Sequence, residues 1–96
     1  MIVQLTDRAK ADLRNIQVYI AGFHVSAAAR VASRIRSSIA MLTYHPKLGQ
    51  VWDKGSTRAL AVPQYPYRVH YHLNEQAGVL TVLTIQHTSQ KPPTFS

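Results

Sequence analysis

Cysteine is absent from the 96 residues, so neither disulfides nor thiolate chemistry are available and the fold must stand on packing, as is usual in the reducing cytoplasm. Acid is almost as scarce. The four carboxylates, Asp7, Asp12, Asp53 and Glu75, are scattered along the chain, which leaves no paired-carboxylate centre for glycoside-type hydrolysis. No apolar run approaches the roughly 20 residues of a membrane span. The opening "MIVQLTDRAK" has no basic region followed by an apolar stretch of signal-peptide length. The expectation is a soluble, cytoplasmic protein with no membrane partner. Gly/Ser-rich linkers and low-complexity runs are missing too, so a single domain over residues 1–96 is expected.

Positive charge is what the chain does have. Eleven Lys and Arg against the four acids give a formal net charge of +7, which points to a polyanionic partner, either nucleic acid or an acidic protein. Hydrophobic content of 46% with charged content of 16% is that of a folded globular chain.

Ile2, Val3 and Leu5 make a short apolar run suited to an edge strand. Thr6 then reads as an N-cap with Asp7 placed against the helix dipole, and Ala9, Leu13, Ile16 and Ile20 recur at helical spacing up to a stop at Gly22. Ser26 reads as the cap of a second helix, in which Ala28, Val31, Ala32, Ile35, Ile39 and Leu42 repeat the period to about Tyr44, before Pro46. The two amphipathic helices, about 6–44, should form an antiparallel hairpin. Arg30 and Arg34 lie four apart on the second helix with Arg36 nearby, so part of its outer surface is basic.

The segment "HPKLGQVWDKGS" reads as a loop carrying Trp52, after which the apolar period changes to two. "TRALAV", 57–62, puts Arg58, Leu60 and Val62 on one strand face; Pro63 and Pro66 bracket a turn; "NEQAG", 74–78, joins the strand 67–73 to the β-rich run 79–88. The tail 89–96 is too polar and proline-rich to extend the sheet. The fold class is therefore α+β in the order β-α-α-β-β-β, an N-terminal edge strand and a helical hairpin packed on one face of an antiparallel meander at about 56–88.

In "YPYRVHYHL", residues 65–73, alternation assigns Tyr67, Val69, Tyr71 and Leu73 to the core and Arg68, His70 and His72 to the face without helices. Three chemistries compete there. His70 and His72, with His87 on the neighbouring strand, are ligand types for a divalent metal if the third falls in register. The same histidines with Arg58 and Arg68 are the residue types of a ribonuclease centre, which needs two proton-transfer groups and a cation on one phosphate. Exposed arginine, tyrosine and tryptophan are equally the anchors of a protein-binding surface.

The ordered series "DLRNIQVYIA", "AAARVASRI", "MLTYHPKLGQ", "TRALAVPQYPYRVHYHL" and "VLTVLTIQHTSQ" resembles the RelE/ParE superfamily of type II toxin-antitoxin toxins, over about residues 5–90. The resemblance implies a helical hairpin on an antiparallel sheet and neutralisation by a cognate, partly disordered antitoxin with acidic residues. RelE-like members cleave mRNA on the ribosome with a set of cations and a C-terminal tyrosine. On that pattern Arg68 matches the strand arginine, whereas the other positions fall near Ala59, Ala61, Thr88 and Thr94 or Phe95, with Arg58 the one nearby replacement cation. These departures favour the ParE branch, whose members resemble RelE in fold and poison DNA gyrase, so the chain is expected to act by binding, not catalysis. Candidate contacts to target or antitoxin are then Arg30, Arg34, Trp52, Arg58, Arg68, His70 and His87, with the tail from Gln86 onward. Arg68 has an alternative role as a bridge to the antitoxin or to a sheet neighbour. If the chain is instead a ribosome-dependent ribonuclease, Arg68, His70, His72 and His87 are the catalytic candidates. A non-toxic, basic nucleic-acid-binding module is a third class. Neither a cofactor nor a resident metal is called for.

Overall fold

The chain runs β1 (Ile2–Leu5), α1 (Asp7–Ala21), α2 (Val25–Met41), β2 (Gln50–Val51), β3 (Thr57–Ala61), β4 (Tyr67–Asn74) and β5 (Val79–His87) in a computed structural model that describes residues 1–53, 55–91, 93 and 95. The strands form one sheet in the order β1-β5-β4-β3-β2. β2 to β5 are the expected antiparallel meander, while β1 joins parallel to β5, with Ile2 opposite Val79 and Leu5 opposite Val82. The sheet is thus mixed, and β1 is one of its edges. The parallel pairing follows from the helical hairpin, which returns the chain to the end of the sheet from which it left.

Thr6 caps α1 as its sequence suggests, its hydroxyl accepting from the Ala9 amide at 3.0 Å and donating to the Leu83 carbonyl at 2.8 Å, which ties the helix start to β5. The second helix begins earlier than Ser26. His24 is its N-cap, with Nδ1 accepting from the Ala27 amide at 3.1 Å, because a neutral imidazole nitrogen serves in the acceptor role usually filled by Ser or Asp. Ser26 instead bonds the His24 ring at 3.1 Å. The expected stop near Tyr44 is a series of turns after Met41. The loop 45–56 holds the short strand β2, whose pairing of Gln50 with Ala59 and Val51 with Arg58 gives the sheet its fifth strand.

Ala9 and Leu13 of α1 and Val31, Ala32, Ile35 and Ile39 of α2 close over Val69, Tyr71, Leu73, Leu80, Val82 and Ile85 of the sheet. Burial of each large aliphatic side chain here contributes roughly 1.5–3 kcal/mol before entropic offsets. Asp12 stitches α1 to β5 beyond packing, since one carboxylate oxygen accepts from both the Thr84 hydroxyl and the Ile85 amide. Among the described residues, no helix is long and apolar enough to cross a membrane.

Candidate functional site: the helix-free face of the sheet

Strand register decides which candidates can act together, because residues directly opposite one another share a face. Arg68 lies opposite Ala61, His70 opposite Ala59 and His72 opposite Thr57, so these six belong to the helix-free face. Arg58 lies opposite Tyr71, and His87 opposite Tyr67, on the face that the helices cover. Sequence alternation assigned Arg68, His70 and His72 correctly, but His87 and Arg58 do not converge with them.

His70 departs from expectation in a second way: it is 1% exposed, not projecting into water. The Trp52 ring stands edge-on to it at 5.0 Å and the Phe95 ring tilts against it at 5.8 Å, so the loop before β3 and the tail together roof this part of the sheet. The roof is fastened by the Trp52 indole N–H, which donates to the Pro93 carbonyl at 3.2 Å, and by the Phe95 amide, which donates to Asp53 at 2.7 Å. Burial, with the Arg68 charge adding to it, holds the His70 imidazole down to about 4, so the ring is neutral near pH 7. Its Nδ1 is buried and has no hydrogen-bond partner among the described residues.

Beside this roof the face opens into a hollow of about 350 Å³ lined by Gln50, Trp52, Ala59, Ala61 and Arg68. The Arg68 guanidinium carbon sits 5.6 Å from the Trp52 ring centroid, a cation–π contact that orients the arginine over the hollow. Ala59 and Ala61 supply a flat floor with no cation. His72 is exposed further along β4, outside this hollow, and lines a separate shallow depression with Ser56 and Glu75.

Arg58 has a structural placement. Its Nη1 donates to the Gly49 carbonyl at 2.8 Å and the Lys47 carbonyl at 3.3 Å, pinning the loop ahead of β2. The Tyr71 hydroxyl holds the same loop, donating to the Pro46 carbonyl at 2.7 Å and accepting from the Gly49 amide at 3.0 Å. Gly49 is needed there for space: a Cβ would come within 2.8 Å of the Tyr71 ring and hydroxyl and 2.9 Å of the Ala59 carbonyl. Nothing in the spacing of Tyr71 and Gly49 announced this node; the glycine inside a Pro-containing loop was the one visible hint.

His87 packs edge-on against Tyr67 at 5.3 Å, and its Nδ1 accepts from the Ser89 amide at 3.0 Å. With Asp12 and Tyr19 it borders a hollow of about 510 Å³ on the α1 side of the sheet. The metal reading needed His87 in register with His70 and His72, and among the described residues no group of three or more ligand-type side chains comes together. Thr94, one of the two positions matched to the ribonuclease tyrosine, lies outside the described residues; Phe95 occupies the other, against His70.

Arg30 and Arg34 are exposed on α2, away from the Trp52 face, and border a third hollow with Tyr65. The candidates therefore divide among the Trp52–Arg68 hollow with His70 beneath its roof, the α2 surface, the His87 corner, the His72 depression and the loop that Arg58 pins.

Residues 3–92 match the family model described as the ParE toxin of the type II toxin-antitoxin system parDE. The chain is 33% identical to Y4kP of Sinorhizobium fredii over 91 residues, covering 95% of this chain and 92% of that protein. It is 31% identical to toxin RelE2 of Caulobacter vibrioides over 85 residues, covering 88% and 92%. Its fold is shared with a structure of the chromosomal ParDE system from P. aeruginosa at a TM-score of 0.81, 17% identity and coverage of 93% and 97%. The isolated E. coli RelE toxin has the same fold at a TM-score of 0.71, 11% identity and coverage of 94% and 86%. With the family model spanning nearly its whole length, the chain belongs to the ParE toxin family of type II toxin-antitoxin systems.

Proposed function

We infer that this toxin acts in the cytoplasm by binding DNA gyrase and stopping religation, and that it is not a nuclease. The observation that carries this reading is the composition of the helix-free face, where Ala59 and Ala61 stand opposite a buried, neutral His70 and a single arginine, Arg68. Cleaving a phosphodiester requires two proton-transfer groups and cationic stabilisation at one phosphate. Arg58 and His87 lie on the other face, and His72, though on this one, is outside the hollow that Arg68 borders. What the Trp52–Arg68 hollow offers instead is a tryptophan and an arginine held together beside a flat floor, the residue types that dominate protein-binding hot spots.

The antitoxin partner fits a different surface. Val18, Tyr19, Phe23 and Val25 are all exposed at the tip of the helical hairpin, with Tyr19 and Phe23 in edge contact at 5.3 Å. An amphipathic antitoxin segment would cover these side chains and pair its acids with nearby arginines. The free edge of β1 offers a second place for strand addition.

Plasmid supercoiling by purified gyrase, with this chain added, tests the reading. The expected result is dose-dependent inhibition with linear DNA released by detergent, weakened at least tenfold by Arg68→Ala or Trp52→Ala. Full supercoiling at stoichiometric excess, together with ribosome-dependent cleavage of mRNA by the same preparation, would replace the gyrase reading with a RelE-type one.

A further inference from the structure

The geometry points to the outer face of α2 as a docking ledge for the phosphodiester backbone of duplex DNA, used directly by this chain. Ala29, Ser33 and Ser37 recur every four residues and form a row of small side chains along the helix, beside the parallel row Arg30 and Arg34. With Tyr65 from the turn after β3 they enclose an open hollow of about 560 Å³. The small row lets an anion come close to the helix surface, and Arg30, Arg34, Ser33, Ser37 and Tyr65, all donor-bearing residues, line the hollow.

Two observations mark the arginines as available. α2 contains no acidic residue. The four acids are placed elsewhere: Asp7 in the first turn of α1, Asp12 bonded to Thr84 and Ile85, Asp53 to the Phe95 amide, and Glu75 to Lys47. The contacts that Arg30 and Arg34 do make are with neutral acceptors, Arg30 with the Ser26 hydroxyl at 3.4 Å and Arg34 with the Gln64 side-chain oxygen at 3.2 Å. Gln64 sits at a φ of 73°, a left-handed conformation unusual for a residue with a side chain, in the turn that brings its amide to the guanidinium. The arginine is thereby oriented without being neutralised.

The chemistry of the lining selects the partner. A protein partner needs apolar side chains at the centre of its footprint, and the exposed large apolar residues lie at the hairpin tip (Val18, Phe23) and around Tyr44 and Val51, not in this hollow. A single strand would be held by stacking on open aromatic rings, and the one aromatic here, Tyr65, is half-buried against the core. Guanidinium forks with hydroxyl donors are instead the groups that hold duplex phosphates. This ledge is separate from the Trp52–Arg68 hollow and stands independently of which target the toxin poisons.

Fluorescence polarisation of a labelled random-sequence DNA duplex with the purified chain, in the absence of gyrase and across a range of salt, tests it. R30Q/R34Q should weaken binding at least tenfold at low salt and reduce the slope of log affinity against log salt by about 1.8, the contribution of two phosphate contacts. Arg8→Gln with Arg14→Gln on exposed positions of α1 removes the same charge and should cost under threefold. Ser33→Leu, which keeps the charge and suits a helix, should weaken binding at least threefold by filling the hollow. The assignment is overturned if the α1 pair costs as much as the α2 pair, or if Ser33→Leu has no effect in a chain that circular dichroism shows to be folded. It is equally overturned if poly-glutamate or single-stranded RNA displaces the duplex as well as unlabelled duplex does, since the ledge would then serve an acidic protein or an unpaired strand.

Discussion

At the scale of single residues, β4 buries two neighbouring polar side chains, His70 and Tyr71, one on each face of the sheet, and they act oppositely. Tyr71 is a buried polar group fully used: its hydroxyl donates to Pro46 and accepts from Gly49. Tyr71→Phe leaves both loop groups without their partner and should cost about 1–3 kcal/mol. A domain of this size shifts by roughly 4–8 °C per kcal/mol, so thermal unfolding reads the loss directly. A shift under about 2 °C would mean that Arg58 alone holds the loop. His70 is a buried polar group left over, with Nδ1 unpartnered among the described residues. Its folded-state pKa, about 4, lies below the ordinary 6.5. Above pH 6.5 the ring is neutral in both states and adds no pH dependence. Below it the unfolded chain takes up a proton that the folded chain refuses, so stability falls as pH drops from 6.5 to about 4, by up to about 3 kcal/mol. His70→Leu, close in volume and without the orphaned nitrogen, should flatten this acid limb in denaturant titrations and leave stability at pH 7 no lower. An unchanged acid limb in that variant would assign the pH dependence to other groups.

At the scale of elements, periodicity is enough to place α1, α2, β3, β4 and β5 and to orient the core face of β4, because each repeats its apolar positions at the period of its own element. β2 was not legible: two residues have no period, and Gln50 and Val51 become a strand only because β3 offers an edge and Tyr71 and Arg58 hold the loop beside it. The burial of His70 was illegible for a related reason, since its roof comes from Trp52 and Phe95, distant in sequence and in segments without regular structure. Face assignment by alternation gave Arg68 its place but could not tell that His87 pairs with Tyr67, because register depends on a bulge between His70 and Tyr71. The start of α2 shows the limit of cap preferences. Ser26 is the favoured residue type, yet His24 holds the position that meets the Ala27 amide. His24→Asp should therefore stabilise the chain by about 0.5–1 kcal/mol, a carboxylate being both a better acceptor and favourable at the helix N-terminus. Thermal unfolding at pH 7 should show a rise of a few degrees; a fall would indicate that the imidazole matters for more than its capping nitrogen.

At the scale of the whole molecule, charge is the dominant long-range term and it acts with opposite signs on folding and on binding. The net charge is +7, and the single ion pair among the described residues, Lys47–Glu75 at 3.3 Å, is largely exposed and contributes little. The folded chain therefore concentrates repulsion that the unfolded chain dilutes. Raising sodium chloride from roughly 50 to 500 mM shortens the screening length from about 14 Å to about 4 Å, which should relieve that repulsion and raise the melting temperature. The same screening should weaken every association that uses the arginines, whether with an acidic antitoxin segment or with DNA. Melting temperature and partner affinity measured across one salt series should then move in opposite directions. A melting temperature that falls with salt would require favourable charge interactions within the fold beyond the Lys47–Glu75 pair, and arginines engaged in them would be less free for a partner.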